Sequence, residues 1–145
     1  MGTANEIFYN LWLGDIRDSR NKSFISDMDV IINCTTNLPY LDENKECYRV
    51  SVEDNLEKNE IINLYKLFDP TINYIHEKLR QQKKVFVHCY AGKQRSASVV
   101  CAYMMKYLKL NFEEAAQLLI TKRCHIFTPQ CNFEAALRVF DKKKI

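Results

Sequence analysis

Glycine and proline are scarce in this chain, three of each among 145 residues, so flexible linkers and low-complexity tracts have almost nothing to be built from. No internal repeat is present, which removes solenoids and propellers and leaves residues 1–145 to be read as a single domain of ordinary size. No apolar stretch reaches 18 residues, so no membrane-spanning segment is expected. A net charge of +3 is too small to demand nucleic acid as a partner, and the longest basic run, residues 142–144, reads as a solvated tail. CxxC pairs are missing as well. Six cysteines would suit the disulfide framework of a small secreted protein, but residues 1–16 hold no secretory apolar run. A reducing, cytoplasmic setting with free thiols fits better. Gly2 raises the question of myristoylation, and Glu6 stands where that motif needs Ser or Thr.

What is present is a 47% hydrophobic chain in which short apolar runs alternate with longer helical patterns. That alternation is the mark of an α/β domain with a central, mostly parallel sheet flanked by helices. Alternating apolar residues over 7–13 predict a half-buried strand. Runs at 30–34, 48–52 and 85–88 predict three more. Helical spacing covers 60–80, where Pro70 predicts a kink or a restart. Residues 96–108 are apolar on nearly every side and predict a buried helix, with two amphipathic helices over 112–121 and 132–140.

One segment carries chemistry: Val85-Phe86-Val87-His88-Cys89-Tyr90-Ala91-Gly92-Lys93-Gln94-Arg95-Ser96. Its layout is strand, tight loop, helix. Such a loop can turn successive backbone N–H groups inward to make an anion-binding nest. The following helix aims its positive end at the same point. Gly92 supplies the backbone freedom that close wrapping demands. A thiol placed at a helix N-terminus beside a cation ionises more readily than a free one, so Cys89 is the candidate nucleophile. Six positions on, the planar fork of Arg95 can return across the loop and grip two phosphoryl oxygens, as a Lys could not. Ser96 can donate its hydroxyl to the sulfur. His88, Tyr90, Ala91, Lys93 and Gln94 complete the candidate substrate-binding loop, and His88 can equally be a core histidine that fixes it. No cluster at metal-ligand spacing is found, and no metal or cofactor is expected.

The HCxxGxxRS segment resembles the active-site signature of the protein tyrosine phosphatase superfamily, and the rest of the chain is similar to its dual-specificity branch. Tyr9-Asn10-Leu11-Trp12-Leu13-Gly14 resembles the family's "LYLG" segment, and 31–39 its "ILNVTPNLP" stretch. Ala102-Tyr103-Met104-Met105-Lys106 resembles the "AYLMK" that ends the helix after the loop. The resemblance implies a dual-specificity phosphatase-like fold with a shallow pocket. It also implies an Asp that protonates the leaving group. Asp54 is the candidate, with Glu53 as rival, although its 35-residue separation from Cys89 is longer than the resemblance leads one to expect. Asn33 resembles a position whose side chain supports the phosphate loop; its alternative is to satisfy local backbone.

The implied reaction is a two-step hydrolysis of phosphotyrosine and phosphoserine or phosphothreonine on a phosphoprotein, by a monomer, through a cysteinyl-phosphate. Lys93 opens an alternative, a phosphoinositide or other phospholipid phosphatase, since a rim lysine favours a second anionic group. An RNA 5′-triphosphatase is the more distant third. A catalytically dead phosphate reader is the rival of another class, and it would lack one of Cys89, Arg95 and Asp54, all of which this chain keeps.

Overall fold

The computed structural model describes residues 4–144; the Gly2 motif lies outside them. Five strands form one sheet in the order β1-β2-β5-β3-β4: β1 (Asn5–Phe8), β2 (Leu11–Gly14), β3 (Val30–Asn33), β4 (Glu46–Arg49) and β5 (Val85–His88). Every neighbouring pair is parallel except β1 with β2. The mostly parallel α/β sheet expected from the sequence is the one that forms.

The alternation over 7–13 is a hairpin rather than one strand. Asn10 adopts φ +68°, a region Asn tolerates better than most residues, and its N–H donates to Glu6 Oε2 at 2.9 Å. The chain reverses there, leaving Tyr9 74% exposed while Ile7, Leu11 and Leu13 are buried. Tyr9 thus kept the apolar rhythm going straight across a turn. β4 also begins earlier than expected. As an edge strand it pairs only with β3, and Val50 N–H adds one more bond to Asn33 O at 2.9 Å before the chain leaves the sheet.

Side-chain alternation decides what covers each face. Val30, Ile32, Val85 and Val87 join the larger cluster, roofed by α3 (Lys58–Arg80), α4 (Arg95–Tyr107), α5 (Phe112–Lys122) and α6 (Glu134–Lys143). Ile31 and Phe86 point the other way and pack with Ile25 and Met28 under the short α1 (Ile16–Ser19) and α2 (Lys22–Ser26). These two helices carry no long apolar period and are set by their caps. Asp15 and Asp18 form a reciprocal capping box, and Asn21 accepts from Phe24 N–H.

α3 runs on through Pro70 without a restart. The missing N–H leaves the Lys66 carbonyl without its helical partner, but both residues are exposed, so water can serve that oxygen. α4 is the helix apolar on nearly every side, and each residue from Arg95 to Met105 is buried. It fixes the exit of the loop as β5 fixes its entry.

Candidate active site

The loop 89–94 leaves the C-terminal end of β5, which is bonded on one edge to β2 and on the other to β3. Its root is tied twice more, by Cys34 N–H to His88 O at 2.8 Å and by Ile16 N–H to Tyr90 O at 2.9 Å. Gly92 takes φ +68°, and a Cβ there would lie 2.5 Å from Arg123 Nη2 and 2.7 Å from Gly14 O. Glycine alone fits both the conformation and the space. From outside, Arg123 Nε donates to Gly92 O at 2.9 Å while its Nη1 donates to Asn5 Oδ1 at 2.9 Å.

Inside the loop, Cys89 is 2% exposed. Its Sγ lies 3.1 Å from Ser96 Oγ and accepts from Gly92 N–H at 3.3 Å. Gly92 N–H and the N-terminus of α4 thus point at the sulfur, and the Ser96 hydroxyl lies within hydrogen-bond distance of it. Arg95 is also nearly buried. Its Nη1 donates to Val52 O at 3.0 Å, whereas its buried Nε has no partner in the protein. An unpaired buried donor costs free energy, and an anion seated in the loop would satisfy it. Cys34, on the adjacent strand, is held well above the usual thiol range, first by burial and then by the charge of Cys89. It is a neutral neighbour.

Asp54 and Glu53 lie on the exposed loop beyond Val52, and they go different ways. Glu53 Oε2 accepts from Thr36 Oγ1 at 2.6 Å, and its N–H donates to Glu60 Oε1 at 3.1 Å. Asp54 Oδ1 accepts from Asn132 Nδ2 at 2.8 Å.

Three of the remaining candidates have their side chains engaged within the protein. Asn33 spends its side chain locally: Nδ2 donates to Leu38 O at 2.8 Å, and Oδ1 accepts from Thr35 N–H at 3.1 Å and Thr35 Oγ1 at 2.6 Å. Of the two readings of Asn33, these bonds are those of a turn organiser. The His88 ring is buried, stacks on Phe86 at 5.3 Å, and has Nδ1 3.3 Å from Cys89 O. Burial pushes its pKa down to about 4, so the ring is neutral near pH 7 and sits against the loop backbone. Gln94 turns its amide away, donating to Gln130 O at 2.7 Å and Thr128 O at 3.3 Å. By contrast, Tyr90 and Ala91 are exposed on the loop. Lys93 is half-buried and lines a cavity of about 570 Å³ together with Ala91, Arg17, Lys122 and His125.

Arg123, Asn132 and Arg49 are structural members that the sequence reading passed over. Arg49 donates to Thr35 O at 2.9 Å and Leu38 O at 2.7 Å, clamping the turn beside Asn33. Nothing local marks these residues. Asn5 and Arg123 meet across a separation of 118 residues.

A cysteine at the end of a parallel strand, with Ser96 Oγ and Gly92 N–H at its sulfur, and an arginine with a buried unfilled N–H six residues on share one loop between β5 and α4. A family model described as "Dual specificity phosphatase, catalytic domain" matches residues 11–143. The chain belongs to the dual-specificity phosphatase family. It is 34% identical over 142 residues to human dual specificity protein phosphatase 9, covering 94% of this chain and 36% of that protein. It is 32% identical to human dual specificity protein phosphatase 6 with the same coverage. The chain thus spans about a third of the length of these relatives. In the solved structures, DUSP15 superimposes with a TM-score of 0.86 at 23% identity, over 97% of this chain and 88% of that one; this likeness concerns the fold. No helix among the described residues is long and apolar enough to cross a membrane.

Proposed function

We propose that the chain hydrolyses phosphotyrosine and phosphoserine or phosphothreonine monoesters on proteins through a cysteinyl-phosphate. The observation that carries this reading is the convergence of Ser96 Oγ and Gly92 N–H on Cys89 Sγ beside the unpartnered Arg95 Nε. In the first step the Cys89 thiolate forms an S–P bond as the ester P–O bond breaks, and Asp54 delivers a proton to the departing oxygen. Arg95 and the loop amides hold the non-bridging oxygens throughout. In the second, water forms a new O–P bond and gives its proton to Asp54 while the S–P bond breaks. Ser96 then donates to the leaving sulfur. Both steps use only this chain's side chains and water, so neither a metal nor a cofactor is invoked. The thiolate must stay reduced, which supports a cytoplasmic setting and fits six cysteines that are all free.

Cys89→Ser tests the reading. An alcohol is far less ionised than this thiol, so the variant should fold, still bind phosphate or vanadate, and have no measurable turnover. Turnover near the wild-type rate in pure protein would rule out the covalent path.

A second reading, a phosphoinositide or other phospholipid phosphate as substrate, draws on the cavity beside Lys93. Arg17, Lys122 and Arg123 share its lining with one carboxylate, Asp15, which is paired with Arg17, so a second anionic group on the substrate would meet an excess of positive charge. Rates on phosphopeptides, phosphoinositides and a triphosphorylated RNA, compared side by side, separate these substrate classes.

A further inference from the structure

Asp54 is exposed, yet its carboxylate is held by a residue from the far end of the chain. Asn132 Nδ2 donates to Asp54 Oδ1 at 2.8 Å across 78 residues of sequence. Asn132 is itself anchored through its backbone, whose N–H donates to Gln94 Oε1 at 2.9 Å. The Gln94 side chain, 5% exposed, completes the attachment by donating to the carbonyls of Gln130 and Thr128. Phe133, 1% exposed, pins the next residue into the core. A continuous path of hydrogen bonds therefore runs from Gln94, the residue before Arg95, through Asn132 to the carboxyl group of Asp54.

We propose that Asn132 is a positioning residue for the acid, holding Asp54 against the phosphate loop with Oδ1 engaged and the transferable proton carried on Oδ2. This rests on Asp54 being the general acid. The chemistry assigns the oxygens. The Nδ2 group of an amide only donates, so the oxygen it meets must accept, and a neutral carboxyl carries its one proton on the other oxygen. An acid on an exposed loop otherwise samples several rotamers, and only those that aim a proton at the departing oxygen are productive. Because Asn132 is fastened to Gln94 by main chain, the orientation of Asp54 is set relative to the loop that holds the phosphate. Truncating the Asn132 side chain leaves that main-chain bond in place, so the two halves of the link can be separated.

The experiment compares Asn132→Ala, the isosteric Asn132→Asp, which keeps the shape but loses the donor, and Asp54→Asn, alone and combined with Asn132→Ala. Each is assayed on a phosphopeptide and on p-nitrophenyl phosphate, whose leaving group needs little protonation. Both Asn132 variants should lose about 10-fold in kcat on the peptide with KM within about twofold, and much less on p-nitrophenyl phosphate. In the Asp54→Asn background, Asn132→Ala should cost nothing further, because a residue that acts through the acid has nothing left to act on. An equal loss on both substrates, a loss that multiplies with that of Asp54→Asn, or wild-type kcat in the Asn132 variants beside a crippled Asp54→Asn would each overturn the proposal while leaving Asp54 as the acid. Wild-type kcat in Asp54→Asn itself would instead remove the acid assignment on which the proposal stands.

Discussion

Arg95 Nη1 donates to Val52 O at 3.0 Å, which bonds the residue after the Cys89 loop to the backbone of the segment that carries Asp54. One guanidinium thereby ties the loop after β5 to the segment after β4 and leaves its buried Nε without a partner in the protein.

Arg95→Lys retains the charge but cannot span both contacts with one planar fork. It should lower kcat/KM by about 10²–10³-fold and weaken vanadate binding, as read by steady-state kinetics and inhibition. A variant within a few-fold of wild type would mean that simple Coulomb attraction suffices.

Asp54→Asn should cut kcat on a phosphopeptide by about 10²–10⁴-fold, with a smaller loss on an activated aryl phosphate. Glu53→Gln should be mild on both, because that carboxylate turns to Thr36, whereas that of Asp54 turns to Asn132 beside Gln94 of the loop. A crippled Glu53→Gln beside a tolerated Asp54→Asn would move the acid by one residue.

The buried His88 makes stability depend on pH in a defined window. Its pKa falls from 6.5 to about 4 on folding, chiefly through burial. The unfolded chain therefore binds the proton more readily, and stability is lost as pH falls from about 6.5 towards 4. Between pH 7 and pH 5 this group should remove about 2 kcal/mol. Thermal or urea unfolding at the two pH values should show that loss in the wild type and a smaller one in His88→Gln. Equal losses would place the titrating group elsewhere.

Lys93→Ala should lower kcat/KM on a phosphoinositide by about 10-fold if a second anionic group enters the basic cavity, an amount matching one charge-assisted contact. On a singly phosphorylated peptide the change should be within about twofold. Equal, small effects on both would leave Lys93 as a solvated side chain and favour protein substrates.

The central sheet and the phosphate loop were legible because each rests on local rules. A run such as Val85-Phe86-Val87 can hardly avoid the middle of a sheet, and the spacing of Cys89, Gly92 and Arg95 encodes a turn and a helix start in adjacent residues. The hairpin at Asn10 was missed because the apolar Tyr9 continued the strand rhythm on the solvent side. Pro70 predicts a kink or a restart, and the helix has no restart there because Pro70 and Lys66 both lie on its exposed side. Asn33 could support a loop or satisfy a turn on equal terms until Thr35 and Leu38 were seen around it. Asn132 was hidden for a different reason. Its partners Asp54 and Gln94 lie 78 and 38 residues away, and no periodicity or motif spans such distances.

Because β5 is paired on both edges and its residues are at most 1% exposed, its amide protons can reach solvent only when the sheet itself opens. The segment 53–57, exposed throughout, can give up its protons through local fluctuations. Cys89 thus follows a strand buried on both edges, and Asp54 sits on an exposed loop. A ligand that closes the site should leave deuterium uptake in β5 unchanged while slowing it sharply at residues 53–57.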